Sequence, residues 1–530
     1  MAGGEGFVPI VRVSALATRF APRIWTLTWN RLAIIYNRPE SSSSELADLI
    51  PRFRVALAVV TLSVVAISQT TTPSPTEKPK AHGITVGPQG VSTGWQAIHS
   101  SALVVDTHAD TPGRFVDEKF DLSQDAGKGY MDFNKIKVGN LGAEFFSIWV
   151  DPRAFKGQEI KRALDMIDSV YEQARRHPDK MMMAFSPQDI YAAHRQHKLA
   201  ALMGVEGGHA IQGDIRVLRD YYRLGVRYMT LTWSNTNELG DSSGDLNNKD
   251  VEHHDGITDF GRQVVREMNR MGMIVDISHV ADRTMFQALA TSRAPVIASH
   301  SSARALTNVP RNMTDDMLVA LARQGGVAQV NFYCGFISQK WVDQSKKLAE
   351  EKDPDYERVQ TLFMSQRTPQ MTQELYEAEI TLQKKLPRPP LSDLIDHIDH
   401  MVKIAGVDHV GIGSDFDGID CSPVGIDSVA DLPKITRALY ERGYQAADIQ
   451  KILGGNLMRV FAEVEKTAKV IQAEQAHQDT RPELAPTAQP QPCRLVDSRE
   501  TLHVGRNHAQ LSNRHTCTRH FWLGRCTNQQ

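Results

Sequence analysis

Apolar, β-branched segments alternate with amphipathic segments along the middle of the chain. The segments predicted to be buried strands are residues 103–107, 143–150, 201–205, 228–233, 273–278, 296–299, 327–332 and 409–414. Helical periodicity lies between most of them, for example over residues 159–176, 215–224, 258–271, 315–323 and 392–405. Eight strands alternating with helices predict an α/β fold, a (β/α)8 barrel of the TIM type.

Two further segments of this region lie outside the regular alternation of strands and helices. Residues 337–390 are charged and helix-prone, which predicts a helical insertion between strands 7 and 8 that forms a lid or outer subdomain. A last helical pattern over residues 446–464 is interrupted by Gly454 and Gly455 and would pack its apolar side chains on the barrel. We therefore predict a barrel domain over residues 95–465 and a disordered tail over residues 466–530, which becomes rich in Pro, Gln and Thr from about residue 475.

The N-terminal region carries a hydrophobic segment of its own. An uncharged run begins at Val55, directly after Arg52 and Arg54. Its apolar part is short for a bilayer span, although uncharged Thr and Ser residues lengthen the run. We predict an N-terminal cytoplasmic or disordered segment over residues 1–54, a signal-anchor over residues 55–76, and a Pro/Thr-rich linker over residues 77–94. The protein would then be a single-pass membrane protein with a luminal or extracellular catalytic domain; the alternative is cleavage and secretion.

Composition excludes some partners and leaves others open. Among 530 residues, 23% are charged and 41% hydrophobic, and the formal net charge is −2. Without a long basic run, nothing favours a nucleic-acid partner. The five cysteines include no Cys-x-x-Cys pair, so a disulfide framework is unsupported, although one or two bridges stay open in an oxidising compartment.

Side chains that can bind a metal follow several of the predicted strands. His108 and Asp110 follow the first strand, and residues two apart on a strand point to the same side. Glu206 follows the third, and the later strands supply His279, His300 and Asp415. Because the active sites of such barrels lie at the C-terminal ends of the strands, we expect these side chains to meet. Imidazole nitrogen and carboxylate oxygen are ligands that zinc accepts.

This ligand set is large enough for two zinc ions per chain. His279 and His300 with a carboxylate would complete one site, and His108 and Asp110 with a carboxylate would complete the other. Glu206 lies beside glycines that allow close approach, and it is the natural bridging ligand. Two metal ions about 3.5 Å apart can hold a hydroxide between them and polarise a carbonyl group.

The same residues carry a family resemblance. The segments DTHAD (106–110), VEGGH (205–209), DISH (276–279), SHSSA (299–303) and SDFDG (414–418) together resemble the membrane dipeptidase (renal dipeptidase-like) family of zinc peptidases. The resemblance runs in order through about residues 95–465. It implies a barrel in which His108 and Asp110 bind one zinc ion, His279 and His300 bind the other, and Glu206 bridges them.

The resemblance also implies a reaction. A metal-bridging hydroxide would hydrolyse dipeptides, converting an L-aminoacyl amino acid and water into two amino acids. Asp415 would be the acid/base residue near that hydroxide. Arg311 falls where the family places an arginine that binds the substrate carboxylate, a role that suits a planar guanidinium.

One functional position departs from the family pattern. The family's Leu-Thr-His after the fourth strand is Leu231-Thr232-Trp233 in this chain. That histidine is expected to contact the substrate carbonyl, whereas an indole offers a single N–H donor and no charge. Loss of one oxyanion donor typically costs about 10²–10³ in rate. Trp233 could instead line the substrate pocket, with Asn235 or Asn237 as a replacement donor.

Two other functions stay open at this point. Another barrel amidohydrolase is one, but such enzymes usually open with His-x-His, and this chain has His108-x-Asp110. The second is a zinc-binding pseudoenzyme or interaction protein with little turnover, which only Trp233 favours. The sequence does not determine the oligomeric state, and a homodimer stays an option.

Overall fold

A computed structural model describes residues 94–127, 129–351, 353–366 and 369–479. The predicted N-terminal segments over residues 1–93 and the tail from residue 480 lie outside the described residues. Among the described helices, none is both long enough and apolar enough to cross a bilayer.

The described chain forms one parallel sheet that curls into a barrel. Its strands are β1 (Val104–Ala109), β2 (Leu141–Trp149), β3 (Met181–Met183), β4 (Leu199–Glu206), β5 (Val226–Thr230), β6 (Ile274–Asp276), β7 (Ile297–Ala298), β8 (Val327–Val330) and β9 (Val410–Ile412). Their order is β1-β2-β4-β5-β6-β7-β8-β9, and all pairs are parallel. The predicted (β/α)8 barrel is confirmed. Strand β3 is additional and pairs only with β4.

Hydrogen bonds between the first and last strands bring the barrel close to closure. Asp110 N donates to Phe416 O over 2.8 Å, and Asp415 N donates to His108 O over 3.0 Å. These bonds lie at the C-terminal end of β1 and just beyond the end of β9. They therefore join the two segments that carry His108, Asp110 and Asp415.

Helices surround the barrel in the order expected for β/α units. They are α1 (Trp95–Ser101), α2 (Thr111–Asp117), α3 (Phe133–Val138), α4 (Glu159–Arg176), α5 (Pro187–Arg195), α6 (Ile215–Arg223), α7 (Asp259–Met271), α8 (Asp282–Thr291) and α9 (Asp315–Arg323). After the insertion come α14 (Leu391–Ala405), α15 (Leu432–Glu441), α16 (Ala446–Gln450) and α17 (Asn456–Asp479).

Local sequence signals fix several of these helix ends. The Thr258 hydroxyl accepts a hydrogen bond from Gly261 N at the start of α7, and Thr314 accepts one from Met317 N at the start of α9. Gly272 ends α7 in the left-handed conformation, with φ of 87°. Such caps help to explain why the predicted helices over residues 159–176, 215–224, 258–271, 315–323 and 392–405 end within one residue of the observed ones.

The insertion between the seventh and eighth barrel strands is helical, as predicted. It contains α10 (Cys334–Ile337), α11 (Gln339–Glu350), α12 (Pro354–Gln366) and α13 (Pro369–Gln383). A disulfide joins Cys334 to Cys421, which ties the loop after β8 to the loop after β9.

Two layers of apolar side chains make up the core. One layer fills the barrel interior, and the other lies between the strands and the helices. Leu457, Val460 and Phe461 of α17 join the interior layer. Gly454 just before α17 lies against Leu103 O, at the N-terminal end of the barrel, where a Cβ would come within 2.4 Å of that oxygen.

Helix α17 continues to Asp479. The predicted disorder is therefore wrong for residues 466–479, where Ala468 and Ile471 are buried. The composition of this segment misled the prediction, because its polar residues lie on the exposed side of a helix that the barrel supports.

Candidate metal centre

The predicted ligands meet at the C-terminal end of the barrel. Glu206 is the last residue of β4, His108 lies at the end of β1, and His279 and His300 follow β6 and β7 within three residues. These four side chains are nearly inaccessible to water, with Glu206 3% and His279 9% exposed. The barrel thus brings residues far apart in sequence to one point.

The backbone at two of these positions is unusual. His279 and Asp415 both take the left-handed conformation, with φ of 65°. Non-glycine residues adopt this conformation at a cost, and it occurs often at functional sites. The strand ends turn sharply here, which aims the two side chains across the barrel opening.

Glu206 lies at the centre of the cluster. Its Oε1 is 2.8 Å from His279 Nε2 and 3.4 Å from His300 Nε2, whereas its Oε2 is 3.3 Å from His108 Nε2. The two carboxylate oxygens therefore face different histidines. This is the arrangement that a carboxylate bridging two metal ions requires.

Asp110 and Asp415 complete the opposite side of the cluster. Asp110 Oδ2 is 3.7 Å and Asp415 Oδ1 is 4.0 Å from His108 Nε2. Ligand atoms of two overlapping groups, His108–Glu206–His300 and His108–Asp110–Asp415, lie within 4.8 Å of one another. His108 Nε2 and Asp110 Oδ1 are buried without a hydrogen-bond partner among the described residues. Buried polar atoms left unpaired and a nitrogen/oxygen donor set both fit a zinc-type metal.

The hydrogen bond made by His108 Nδ1 determines which ring nitrogen of this histidine can bind a metal. Tyr228 Oη donates to Thr107 O over 3.1 Å and lies 2.7 Å from His108 Nδ1, so this phenol oxygen accepts the Nδ1 proton. In the neutral imidazole, which is the form that binds metal, the lone pair of His108 is then on Nε2, inside the cluster. Gly204 makes room for the phenol ring, since a Cβ there would lie 2.0 Å from Tyr228 Cζ.

His300 is oriented in the same way. Ser299 Oγ donates to Asp276 Oδ2 over 2.6 Å and accepts from His300 Nδ1 over 2.7 Å, which leaves the lone pair of His300 on Nε2. That nitrogen faces the cluster, 3.0 Å from His279 Nε2. Burial lowers the pKa of His279 to about 4 and lowers the pKa of His300 as well. Both imidazoles are therefore neutral at pH 7, which is the form that binds metal.

Asp415 has the properties of a group that exchanges protons. Its Oδ2 accepts a hydrogen bond from Asn331 Nδ2 over 2.8 Å, while its Oδ1 faces His108. Burial raises the pKa of the Asp415 carboxyl to about 7, and the negative charges of Asp110 and Glu206 also raise it. Asn331 at the end of β8 was not predicted, although its interior-facing register could have pointed to it.

Arg311 lies beside the cluster and lines a cavity of about 440 Å³ that opens over His279. Its guanidinium donates to Ser301 Oγ over 2.6 Å and to His300 O over 2.7 Å. Its Nε is buried without a partner among the described residues. The arginine is thus held rigidly while keeping donors for a ligand in the cavity.

Trp233 lies close to the cluster but outside the lining of that cavity. Its ring is 5.1 Å from the Trp149 ring and 6.3 Å from the His279 ring, between centroids. Asn237, named above as a replacement donor, is instead structural: its Nδ2 donates to Leu231 O, and its Oδ1 accepts from Leu239 N.

A parallel barrel with buried histidines and carboxylates gathered at its strand ends defines a metalloenzyme of the barrel hydrolase type. The model of the membrane dipeptidase family, peptidase family M19, matches residues 93–475. The chain belongs to this family and is therefore a hydrolase, a dipeptidase of the metallopeptidase class, as the sequence motifs predict.

Individual relatives agree with this placement. The chain is 33% identical over 361 residues to dipeptidase tcpJ of Claviceps purpurea, covering 67% of this chain and 73% of that protein. The probable dipeptidase PvdM from Pseudomonas aeruginosa has a similar structure, with a TM-score of 0.62 and 27% identity, covering 71% of this chain and 98% of that one. A metallopeptidase from Rhodobacter sphaeroides, solved with a phosphinate mimic of the dipeptide L-Ala-D-Ala, shares the fold with a TM-score of 0.55 and 22% identity, covering 68% of this chain and 99% of that one.

Proposed function

We propose that this chain hydrolyses dipeptides at a site that binds two zinc ions. The observation that carries the proposal is the position of Glu206, whose two oxygens face His279 and His300 on one side and His108 on the other. His108 and Asp110 would hold one ion, His279 and His300 the other, and Glu206 would bridge them. When bound, such ions polarise a carbonyl group and lower the pKa of bound water.

Asp415 supplies the proton transfer in this proposal. The carboxyl is buried, held by Asn331, and has a pKa near neutrality, so it can accept and return a proton. It would take the proton from the attacking water and pass it to the amine that leaves as the peptide bond breaks. Asn331 would keep the carboxyl in place during both transfers.

Arg311 selects for a short substrate in this proposal. Its guanidinium lines the cavity beside His279 and would bind the C-terminal carboxylate of the dipeptide. In the proposed complex, one residue would lie between the cleaved bond and the carboxylate that this fixed positive group binds. Longer peptides would place their carboxylate beyond its reach.

The proposal is tested by assaying the purified chain with a panel of dipeptides and matched tripeptides. We expect turnover of dipeptides that a chelator abolishes and added zinc restores, with little turnover of tripeptides. Turnover that survives metal removal, or no turnover by the zinc-loaded protein, would contradict it.

Trp233 bears on the rate of this reaction. An indole beside His279 does not replace an imidazole donor, so we propose that Trp233 limits the rate of hydrolysis. Trp233→His should raise kcat. If the natural chain shows no turnover and Trp233→His acquires it, the chain is a zinc-binding pseudoenzyme.

Location and assembly remain proposals. We propose that residues 55–76 anchor the chain in a membrane with the barrel luminal or extracellular, and that secretion after cleavage is the alternative. The Cys334–Cys421 disulfide supports an oxidising compartment. Fractionation of the expressed full chain, with and without residues 55–76, tests the anchor. Light scattering of the soluble barrel tests whether it forms a homodimer.

A further inference from the structure

The loop between β5 and α7 brings a serine next to the metal centre. Ser243 N donates to His279 O over 2.7 Å, and the neighbouring Ser242 pairs with Val280 in an isolated bridge. These backbone contacts fix Ser243 beside a predicted metal ligand. Its side chain lines the cavity that opens over His279 and contains Arg311.

The Ser243 hydroxyl has no hydrogen-bond partner among the described residues. The residue is only 6% exposed, and its Oγ makes no hydrogen bond to any residue that the structure describes. A buried hydroxyl without a partner is unfavourable, so such groups usually serve a ligand or an ordered water. The hydroxyl therefore indicates a binding function.

Arg311, which lines the same cavity, also has an unpaired donor. Its Nε is buried without a partner among the described residues, while two of its other N–H groups hold Ser301 and His300. The acidic residue of the lining, Asp245, has both oxygens engaged by Thr236. With Asp245 already engaged, the cationic Arg311 determines the charge of the lining, which suits an anionic group.

We propose that Ser243 is a substrate-binding residue that donates a hydrogen bond to the C-terminal carboxylate held by Arg311. The inference rests on the proposed function, since it assigns a second contact to the dipeptide carboxylate. The apolar part of the lining, formed by Leu246, Val309, Pro310 and Phe336, would then contact the side chain of the C-terminal residue. Ser243 and Arg311 together would select substrates that end in a free carboxylate.

The test compares alanyl-alanine with alanyl-alaninamide, using the zinc-loaded full chain and Ser243→Ala. For the dipeptide, we expect KM to rise about tenfold, equivalent to about 1.4 kcal/mol, with kcat changed less than about threefold. For the amide, KM should change less than about twofold. If the amide is not hydrolysed, its inhibition constant Ki is measured instead and should change equally little. Removing an unpaired buried hydroxyl should leave the melting temperature unchanged or slightly higher.

Matched variants separate binding from structure. Ser243→Thr keeps a hydroxyl and should retain most of the affinity for the dipeptide. Ser169→Ala on α4 removes a hydroxyl that donates to Met166 O, far from the site, and should leave KM unchanged.

Three outcomes would overturn the assignment of Ser243. These are an unchanged KM in Ser243→Ala, an equal loss on the dipeptide and the amide, or a loss explained by lower zinc content. Failure of the natural chain to hydrolyse the dipeptide would refute the proposed function itself, so the two failures are distinguishable.

Discussion

At the scale of single residues, the centre depends on which ring nitrogen of each histidine is free. Tyr228 and Ser299 each accept a hydrogen bond from the Nδ1–H of one histidine and donate their own hydroxyl to a carbonyl or carboxylate oxygen. The metal-binding residues follow strand ends and were predictable from their spacing. Tyr228 and Ser299 were not, because the sequence does not show which interior side chain meets which ring.

Tyr228→Phe tests this orientation. The change removes the acceptor for His108 Nδ1 while keeping the buried ring, so the apparent affinity for zinc should fall about 10–100-fold. The amount of zinc that stays bound after dialysis against increasing concentrations of a chelator measures this affinity. Tyr221→Phe, whose hydroxyl donates to Ala210 O, is the control and should keep normal affinity. Equal affinity in the two variants would count against the role of Tyr228.

Asp415→Asn tests the proton transfer. The amide cannot accept the proton, so kcat should fall by about 10²–10⁴-fold while the barrel stays folded. Asn331→Ala, which removes only the partner of Asp415, should give a smaller decrease. Steady-state kinetics at matched zinc content check both variants. If the kcat of Asp415→Asn stays within a few-fold of that of the natural chain, Asp415 does not carry out the proton transfer.

At the scale of elements, the sequence predicted all the barrel strands but missed β3. Met181–Met183 is three residues long and pairs on one side only, so its hydrophobic pattern is too short to distinguish a strand from a turn. The extent of α17 was missed for a different reason: Ala468 and Ile471 are buried against the rest of the fold, which the local composition does not show. The Cys334–Cys421 pairing spans a sequence separation of 87 and follows only from barrel closure.

An ion-pair cluster between α6 and α7 predicts a pH dependence of stability. Glu267 accepts from Arg270 and Arg219, and these hydrogen bonds lower its pKa to about 2. Because the pKa is lower in the folded chain, the stabilisation is present above the unfolded pKa of about 4.5 and is lost as pH falls towards 2.

Glu267→Gln should therefore reduce the free energy of unfolding by about 1–2 kcal/mol at pH 7, a value that allows for the partial exposure of both arginines. The difference from the natural chain should shrink steadily between pH 4.5 and pH 2. Urea unfolding across that range checks it. A difference that stays constant with pH would show that the cluster does not act through charge.

The disulfide should stabilise the two loops that carry Asn331 and Asp415. Replacing both cysteines, Cys334→Ala with Cys421→Ala, should lower the free energy of unfolding by about 2–4 kcal/mol. Thermal unfolding with and without a reductant measures this. The reductant should lower the melting temperature of the natural chain and leave that of the double variant unchanged; equal responses would contradict a stabilising role.

At the scale of the whole molecule, the site exists only when the barrel is assembled. His108 and Asp415 lie at opposite ends of the barrel sequence and become neighbours through the bonds between β1 and β9. Alternation of strands and helices, together with ligands at the strand ends, was enough to predict the fold and the residues that converge. The sequence could not reveal the cavity beside His279, because its lining comes from loops whose paths depend on packing.

The central claim is that Glu206 joins two metal positions in one site. The most direct measurement is the zinc content per chain of the purified protein and of Glu206→Gln, after equilibration with excess zinc and removal of unbound ions. We predict two zinc ions per natural chain with dipeptide hydrolysis, and at most one ion with no hydrolysis in the variant. One zinc ion or none in the natural chain, or two ions retained by Glu206→Gln, would contradict the account.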